Sequence, residues 1–335
     1  MRALAVAGRS VEVVELPDPA PRDAEVVVAP HTCAICGSDV HFVEGGLAAP
    51  GQVLGHELAG TVVAVGGSVD SFCEGDVVVV NPLGSCGDCP ECRRGLAFRC
   101  SAFPNIGISA PGGYAELVAV PAGQLLALPD GVEPEAASHV EPLAVSLHAL
   151  HLAGAGPGTR ALVYGVGTIG LCVIMALRAL GAEEVVAVGR SAGRRQAAGA
   201  LGADEVLDGA AGDLDAYLAE RGGQFDAVFE CSAAPEALSR SLQAVRSDGT
   251  VVEVALAGRS VPVDLFELVH RNARLVGSCA FGPLEFAESL GLVASGAVDP
   301  APLVSRRASL AEAPQAFLDL RRPGDLVGVV VEPWR

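Results

Sequence analysis

The sequence predicts an α/β protein in two parts. A β-rich domain covers residues 1–150 and is completed by residues 281–335, and a doubly wound parallel-sheet domain covers 151–280. Three observations carry this reading. A chain of 335 residues suits two domains of roughly 150 residues each. The first part breaks into short apolar runs bounded by Gly, Pro and Asp, the pattern of an irregular β domain. The middle part alternates strand-like and helix-like runs, the pattern of a parallel sheet with helices on both faces.

Val26–Val28, Gly60–Val65 and Val77–Val80 are the clearest strands of the first part. The texture changes near residue 150. Ala161–Tyr164 reads as a strand, a Gly-rich turn follows, and Leu171–Leu180 reads as a buried helix stopped by Gly181. Val185–Val188, Asp226–Phe229 and Thr250–Val254 continue the strands. Beyond residue 280 the pattern is helical again, and the chain closes on the apolar run Leu326–Val331. That run has no place in the parallel sheet and is returned to the first domain.

Composition narrows the function. Half of the residues are hydrophobic, so a large core can be buried; aromatics make up only 4%, so Val, Leu and Ala must build it. A net charge of −18 argues against nucleic acid or an anionic membrane as partner, because both reward clustered basic groups. The chain contains no lysine, which rules out Schiff-base chemistry and leaves every cationic role to arginine. The N-terminus lacks the apolar core of a secretion signal, and no run reaches the ~18 apolar residues of a membrane span. A cytoplasmic protein is expected. The 10 cysteines are then better read as metal ligands than as a disulfide framework.

Cys86, Cys89, Cys92 and Cys100 have the spacing C-x2-C-x2-C-x7-C. Four thiolates so close in sequence can wrap one tetrahedral zinc, with Gly84, Gly87 and Gly95 supplying turns. Free buried thiols and an iron–sulfur cluster are the other readings, although cluster spacings differ. With sulfur in all four positions no place is left for substrate, so this zinc would be structural. Upstream lie Cys36-Gly37-Ser38-Asp39-Val40-His41 and Gly55-His56-Glu57. Cys, His and Glu are all zinc ligands, and three of them with an open fourth position form the catalytic pattern. Twenty residues separate the two groups, so the fold would have to close the site. Taken alone, a single Cys and a single His are more often core or surface residues than metal ligands.

Gly165-Val166-Gly167-Thr168-Ile169-Gly170 is G-x-G-x-x-G between a strand and a helix, the context of a Rossmann dinucleotide site. Its glycines let the backbone approach a pyrophosphate at the helix N-terminus. The next strand ends in Gly189-Arg190-Ser191, with Arg194 close behind, and lacks the acid that would hold a ribose 2′-OH. Gly189 leaves room, and Arg190, Ser191 and Arg194 can hold a 2′-phosphate. NADP is therefore preferred to NAD, although arginines at a solvated helix start are common.

Together with Val53–Val62, Gly112-Gly113-Tyr114-Ala115-Glu116 and Glu141-Pro142-Leu143-Ala144-Val145, these motifs resemble the zinc-dependent medium-chain dehydrogenase/reductase family over nearly the whole chain. The Glu-Pro-Leu feature and compact length resemble its sorbitol, threonine and cyclitol branch, which includes the 2-deoxy-scyllo-inosamine dehydrogenases. The resemblance implies a GroES-like catalytic domain, a Rossmann cofactor domain and an active site where they meet. It implies that Cys36, His56 and Glu57 bind the catalytic zinc, with Glu141 binding it directly or through water. It further implies a proton relay of Ser38 and His41, and a supporting place for Asp39 behind the ligands. Cys231, Ala255, Leu256, Ser278, Cys279 and Ala280 fall where the family meets the cofactor, with Cys231 a packing residue rather than a nucleophile. A homodimer or homotetramer follows by resemblance.

Two positions depart from the branch. Ala280 stands where sorbitol enzymes carry a polyol-binding Arg, and Gly328 stands where many relatives have Lys. The expected activity is NADP-linked interconversion of a secondary alcohol, in a cyclitol, amino-cyclitol or polyol, and its ketone. The competing readings are an NAD-dependent threonine- or sorbitol-type enzyme, and a catalytically silent zinc-stabilised protein. The last predicts a lost catalytic ligand, and none is lost.

Overall fold

A computed structural model describes the whole chain except Gly95, Ser101, Ala211, Gly222, Gly223, Ala257, Arg259, Arg322 and Pro323, and except the side chains of Ala97 and Arg221. Two compact units result, one of Met1–Glu141 with Gly282–Arg335 and one of Pro142–Phe281. The first division falls within the helix Val140–Ala153, earlier than the change in sequence texture, because that change marks the end of this helix and not its start.

The first unit begins with the hairpin β1 (Arg2–Ala7) and β2 (Ser10–Glu15), followed by β3 (Glu25–Ala34), β4 (Glu57–Val65), β5 (Val77–Val80), β6 (Val118–Pro121) and β7 (Leu125–Ala127). β3 is buried along most of its length, so it reads as an apolar run without strict alternation. Its register against β4 shifts between Pro30 and Thr32. Proline has no N–H for the ladder, and opposite it a Cβ at Gly60 would come within 2.2 Å of the Ala29 carbonyl oxygen. The register beyond this bulge pairs Ala34 with Glu57. This pairing brings the end of β3, and the residues just after it, to the start of β4.

The second unit holds β8 (Arg160–Tyr164), β9 (Glu184–Gly189), β10 (Glu205–Asp208), β11 (Phe225–Glu230), β12 (Val245–Glu253) and β13 (Arg274–Gly277). They form one sheet in the order β10-β9-β8-β11-β12-β13, with every pair parallel. The chain builds outwards from β8 to β10 and then restarts on the other side of β8. That reversal opens a crevice at the strand C-termini, where dinucleotides bind in such sheets. The helix Thr168–Ala179 is buried from Gly170 to Leu177, and Gly181, at φ +79°, ends it. β10 is flanked by Glu205 and Asp208 and β13 by Arg274 and Gly277, so neither carries the apolar run that marks a strand such as β5 in the sequence.

The chain then returns to the first unit with β14 (Val304–Ala308) and β15 (Gly328–Val331). β15 pairs antiparallel with β3 and parallel with β14, so the apolar C-terminal run completes the first unit's sheet. Among the described residues no helix is long and apolar enough to cross a membrane.

Candidate metal and cofactor sites

Three elements of the first unit converge on one buried cluster. Cys36 follows β3 and caps the helix Gly37–Gly45, while His56 and Glu57 open β4. The Ala34–Glu57 register therefore brings the thiol, the imidazole and the carboxylate together. Their candidate ligand atoms all lie within 4.8 Å of one another. Glu141, on the first turn of the helix Val140–Ala153, is buried and close enough to repel Glu57, but it stands outside that trio. Ser38 and His41 lie on the helix Gly37–Gly45, half-buried and exposed respectively, one turn apart on the same face.

The electrostatics of this cluster suit a dication. Burial, with Glu57 next, pushes the Cys36 thiol up to about 11. Burial and the Glu141 charge push Glu57 up to about 8, and burial chiefly pushes Glu141 up to about 7. Burial works against charge on His56 too, but Asp39 and Cys36 outweigh it and hold its pKa well above the usual range. Asp39 Oδ1 lies 3.4 Å from His56 Nδ1. Neither atom has an aligned hydrogen-bond partner. With Nδ1 turned to Asp39, Nε2 is left for a metal, the usual arrangement behind a zinc-bound histidine. A set of S, N and O donors that keeps its protons when empty is one that zinc binding would deprotonate.

The four-cysteine loop forms a second cluster in the same unit. All four sulfurs lie within 4.8 Å of one another. Cys86 and Cys92 are 3.9 Å apart, which is near the ~3.8 Å edge of a tetrahedron with 2.3 Å zinc–sulfur bonds and far from a disulfide. Amide N–H groups of Cys86, Cys89 and Cys92 point at sulfurs of Cys100, Cys86 and Cys89 at 3.4, 3.3 and 3.4 Å. Ser85 Oγ lies 3.1 Å from Cys92 Sγ. Donors aimed at sulfur favour the thiolate, and Cys92, with the Ser85 hydroxyl the largest cause, is drawn down to about 6. Gly87, at φ +72°, makes a turn, but Gly84 has a different reason. A Cβ there would sit 1.8 Å from the Phe103 ring, so packing rather than a turn demands it. Gly95 lies outside the described residues.

In the second unit, Gly165 and Gly167 lie in the turn that links β8 to the helix Thr168–Ala179, whose first turn holds Thr168, Ile169 and Gly170. Gly165 has φ +104°, and a Cβ on it would lie 2.7 Å from that of Ser232. A Cβ at Gly167 would meet only Arg194 Nη1, 4.0 Å away, so the turn keeps an open face beside an arginine. No side chain caps the helix start, whose N–H groups and dipole suit a pyrophosphate. Ser191 caps the helix Ala192–Ala200 by accepting from the Arg194 amide at 3.3 Å, and Arg190 is exposed. One expectation is corrected. Gly189 does not leave room for a phosphate, because the space of its missing Cβ is filled by Val166 Cγ2 at 2.2 Å.

Cys231, Ala255, Leu256, Ser278, Cys279 and Ala280 follow the C-terminal ends of β11, β12 and β13, on the same edge of the sheet as the Gly-rich turn. Burial holds the Cys231 thiol protonated, which suits packing and not nucleophilic attack. Ser278 is buried with its hydroxyl unpartnered, and Cys279 and Leu256 are exposed. Ala280 has φ +57°, a left-handed conformation that costs a residue with a Cβ about 1 kcal/mol.

Two family models match the chain: the alcohol dehydrogenase GroES-like domain over residues 22–130 and the zinc-binding dehydrogenase domain over 168–295. The 2-dehydro-3-deoxy-L-galactonate 5-dehydrogenase of Pseudoalteromonas atlantica is 33% identical over 322 residues, covering 94% of this chain and 93% of that protein. The chain belongs to the zinc-binding dehydrogenases. Another relative, the L-idonate 5-dehydrogenase (NAD(P)(+)) of Escherichia coli, is 32% identical over 87% of this chain and 86% of its own. A solved zinc-binding dehydrogenase of Sinorhizobium meliloti 1021, bound to NADP, superposes with a TM-score of 0.92 at 32% identity, covering 99% of each chain. The protein is thus a zinc-dependent, NAD(P)-dependent alcohol dehydrogenase with a GroES-like domain and a Rossmann domain.

The dehydrogenase also carries an acid pair at the cofactor edge that sequence patterns do not reveal. Glu230 and Glu253 end β11 and β12 and are register partners. Glu230 accepts from the Ser232 amide at 2.7 Å, from the Ser232 hydroxyl and from the Ala233 amide at 3.1 Å. Burial, then the bond to Glu230, pushes Glu253 up to about 8. Folded Glu253 thus binds a proton that the unfolded chain releases above its ordinary range. Its contribution to stability is present at low pH and is lost as pH rises towards 8. Glu253→Gln, which mimics the neutral acid, is expected to raise Tm by a few degrees at pH 8.5 and hardly at all at pH 5. Calorimetric scans at both pH values check this; an equal shift at the two would contradict a raised pKa.

Proposed function

We propose that the protein catalyses NADP-linked interconversion of a secondary alcohol and its ketone in a polyhydroxylated substrate, a cyclitol, amino-cyclitol, polyol or sugar acid. The observation that carries this is the Cys36–His56–Glu57 trio, with a second carboxylate, Glu141, beside it. Cys36, His56 and Glu57 hold one zinc, with Glu141 as a direct or water-bridged fourth group. Cys86, Cys89, Cys92 and Cys100 hold a second zinc, which ties their loop and leaves no place for substrate. Zinc at the first site supplies a Lewis acid that makes an alcohol proton easier to remove.

The chain's own residues handle that proton. Ser38 accepts it nearest the substrate, and His41, one helical turn further and exposed, passes it to water. Asp39 orients His56 from behind. The Gly165–Gly170 turn and the adjoining helix start bind the pyrophosphate, with Arg190, Ser191 and Arg194 on the 2′-phosphate. The position of Arg194 Nη1 beside Gly167 supports NADP, as does the absent acid after β9. The chain works as a homo-oligomer in the cytoplasm. The open edge strand β13 and the exposed Leu265, Phe266 and Val269 just before it support self-association.

Initial rates with both cofactors across cyclitols, amino-cyclitols, polyols, sugar acids and β-hydroxy amino acids test this. The expected result is a kcat/KM for NADP at least about tenfold above that for NAD, the effect of roughly 1.4 kcal/mol of phosphate recognition. Preference for NAD by the same factor would reverse the cofactor assignment. No turnover in fully zinc-loaded protein would remove the substrate class.

A further inference from the structure

The Gly112–Glu116 motif has no role in the chemistry above, yet it is built against the loop that carries His56. The Gly112, Gly113 and Tyr114 amides donate to the carbonyls of Val53, Gly55 and Leu54 at 3.0, 2.8 and 3.2 Å. The Tyr114 ring lies directly beneath Gly55, where a Cβ would come within 2.9 Å of two ring carbons. Its other contact is edge-on to Phe317, with centroids 5.8 Å apart. Tyr114 is 1% exposed, and its hydroxyl lies 2.6 Å from Asp39 Oδ2 and 2.9 Å from the Ala34 carbonyl. The same Asp39 carboxylate accepts from the Cys36 amide at 3.3 Å and faces His56 Nδ1 at 3.4 Å. Asp39 is fully buried and gains its shortest hydrogen bond from Tyr114.

We propose that Tyr114 is a positioning residue for the catalytic metal site, acting through Asp39 on both Cys36 and His56. This rests on the assignment of zinc to Cys36, His56 and Glu57. The phenol anchors one oxygen of the carboxylate, and so fixes where the other oxygen meets the imidazole. Without it, Asp39 has only the longer bond from Cys36 and the poorly aligned approach of His56. The ring, meanwhile, holds the His56 loop by packing. Tyr114→Phe separates the two contributions, because it removes the hydroxyl and keeps the ring on Gly55 and Phe317.

Zinc release into a chromogenic chelator provides the readout, with the four-cysteine site of the same chain as internal reference. Tyr114→Phe is expected to release the catalytic zinc about tenfold faster, the lower end of the range for outer-shell partners, with the second zinc unaffected. Cobalt in the catalytic site should show altered visible absorption bands. In an Asp39→Asn background the same substitution should change zinc release little, since the two groups act in series. Release within twofold of wild type, or full additivity with Asp39→Asn, overturns the proposal. If Tyr114→Phe does not fold, fluorotyrosine at 114 keeps the shape and alters only the donor, and unchanged release then counts against it equally. The underlying zinc assignment fails in a different way: Cys36→Ala would then leave the zinc content at the wild-type value.

Discussion

Cys36→Ala is expected to lower the zinc content from two per chain to one and to reduce kcat/KM by at least about 10³-fold. The second figure corresponds to the ~4 kcal/mol that a metal ion contributes to stabilising developing negative charge. Loss of one donor of three is not made good by its neighbours. Without the ion, Glu57 and Glu141 sit in a buried pocket that pushes them up to about 8 and about 7, so at neutral pH they take up protons. The variant should therefore remain folded. Its remaining zinc should be held by the cysteine loop and be lost only on unfolding. Metal analysis after gel filtration, together with a thermal scan, checks each part. Two zincs retained by the variant would place the metal elsewhere. Wild-type zinc at the first site should also weaken as pH falls, since protons compete for Cys36 and Glu57.

Gly170→Ala is expected to destabilise the second unit and to weaken NADP binding on the order of 100-fold. Its Cβ would lie 1.9 Å from the Gly165 carbonyl oxygen, 2.9 Å from the carbonyl carbon and 3.4 Å from Val163 Cγ1. Two of those atoms are backbone at the end of β8, so the helix must move away from the strand. Overpacking of this kind costs about 1–3 kcal/mol, and it would tilt the amides proposed to bind the pyrophosphate. Gly167→Ala is the instructive comparison. A Cβ there meets nothing closer than Arg194 Nη1 at 4.0 Å, so Tm should be unchanged. On the proposed cofactor assignment dinucleotide affinity should still fall, because the new methyl would stand where the protein backbone approaches the pyrophosphate. Thermal unfolding of both variants, with dinucleotide affinity by titration calorimetry, separates packing from contact. An unchanged Tm in Gly170→Ala would show that the clash there is relieved at no cost.

Features whose partners are close in sequence were legible before any fold was known. Cys86, Cys89, Cys92 and Cys100 fall within one short loop, so chain connectivity alone keeps their sulfurs near one another. The Gly165–Gly170 turn is also local, as are the strand Arg160–Tyr164 and the helix Thr168–Ala179 on either side of it. Glycines were easy to find but not to interpret. Gly84 and Gly189 lack side chains because Phe103 and Val166 occupy their space, and each contact depends on packing that no spacing rule describes. Likewise the strands Glu205–Asp208 and Arg274–Gly277 gain their identity from pairing, not from their own short runs.

The sequence by itself determined the fold class, the metal-ligand chemistry and the kind of cofactor turn, because these depend on residue types at short, fixed offsets. Tertiary structure decided which scattered groups meet. The register of β3 against β4 pairs Ala34 with Glu57 and thereby joins Cys36 to His56 across twenty residues. The parallel register of β11 and β12 sets Glu230 beside Glu253. The loop Gly112–Tyr114, far along the chain from either, seats a phenol on Asp39. In each case a side chain acts on a neighbour brought by hydrogen-bonded register or close packing, and those distances are set only once the whole sheet has formed.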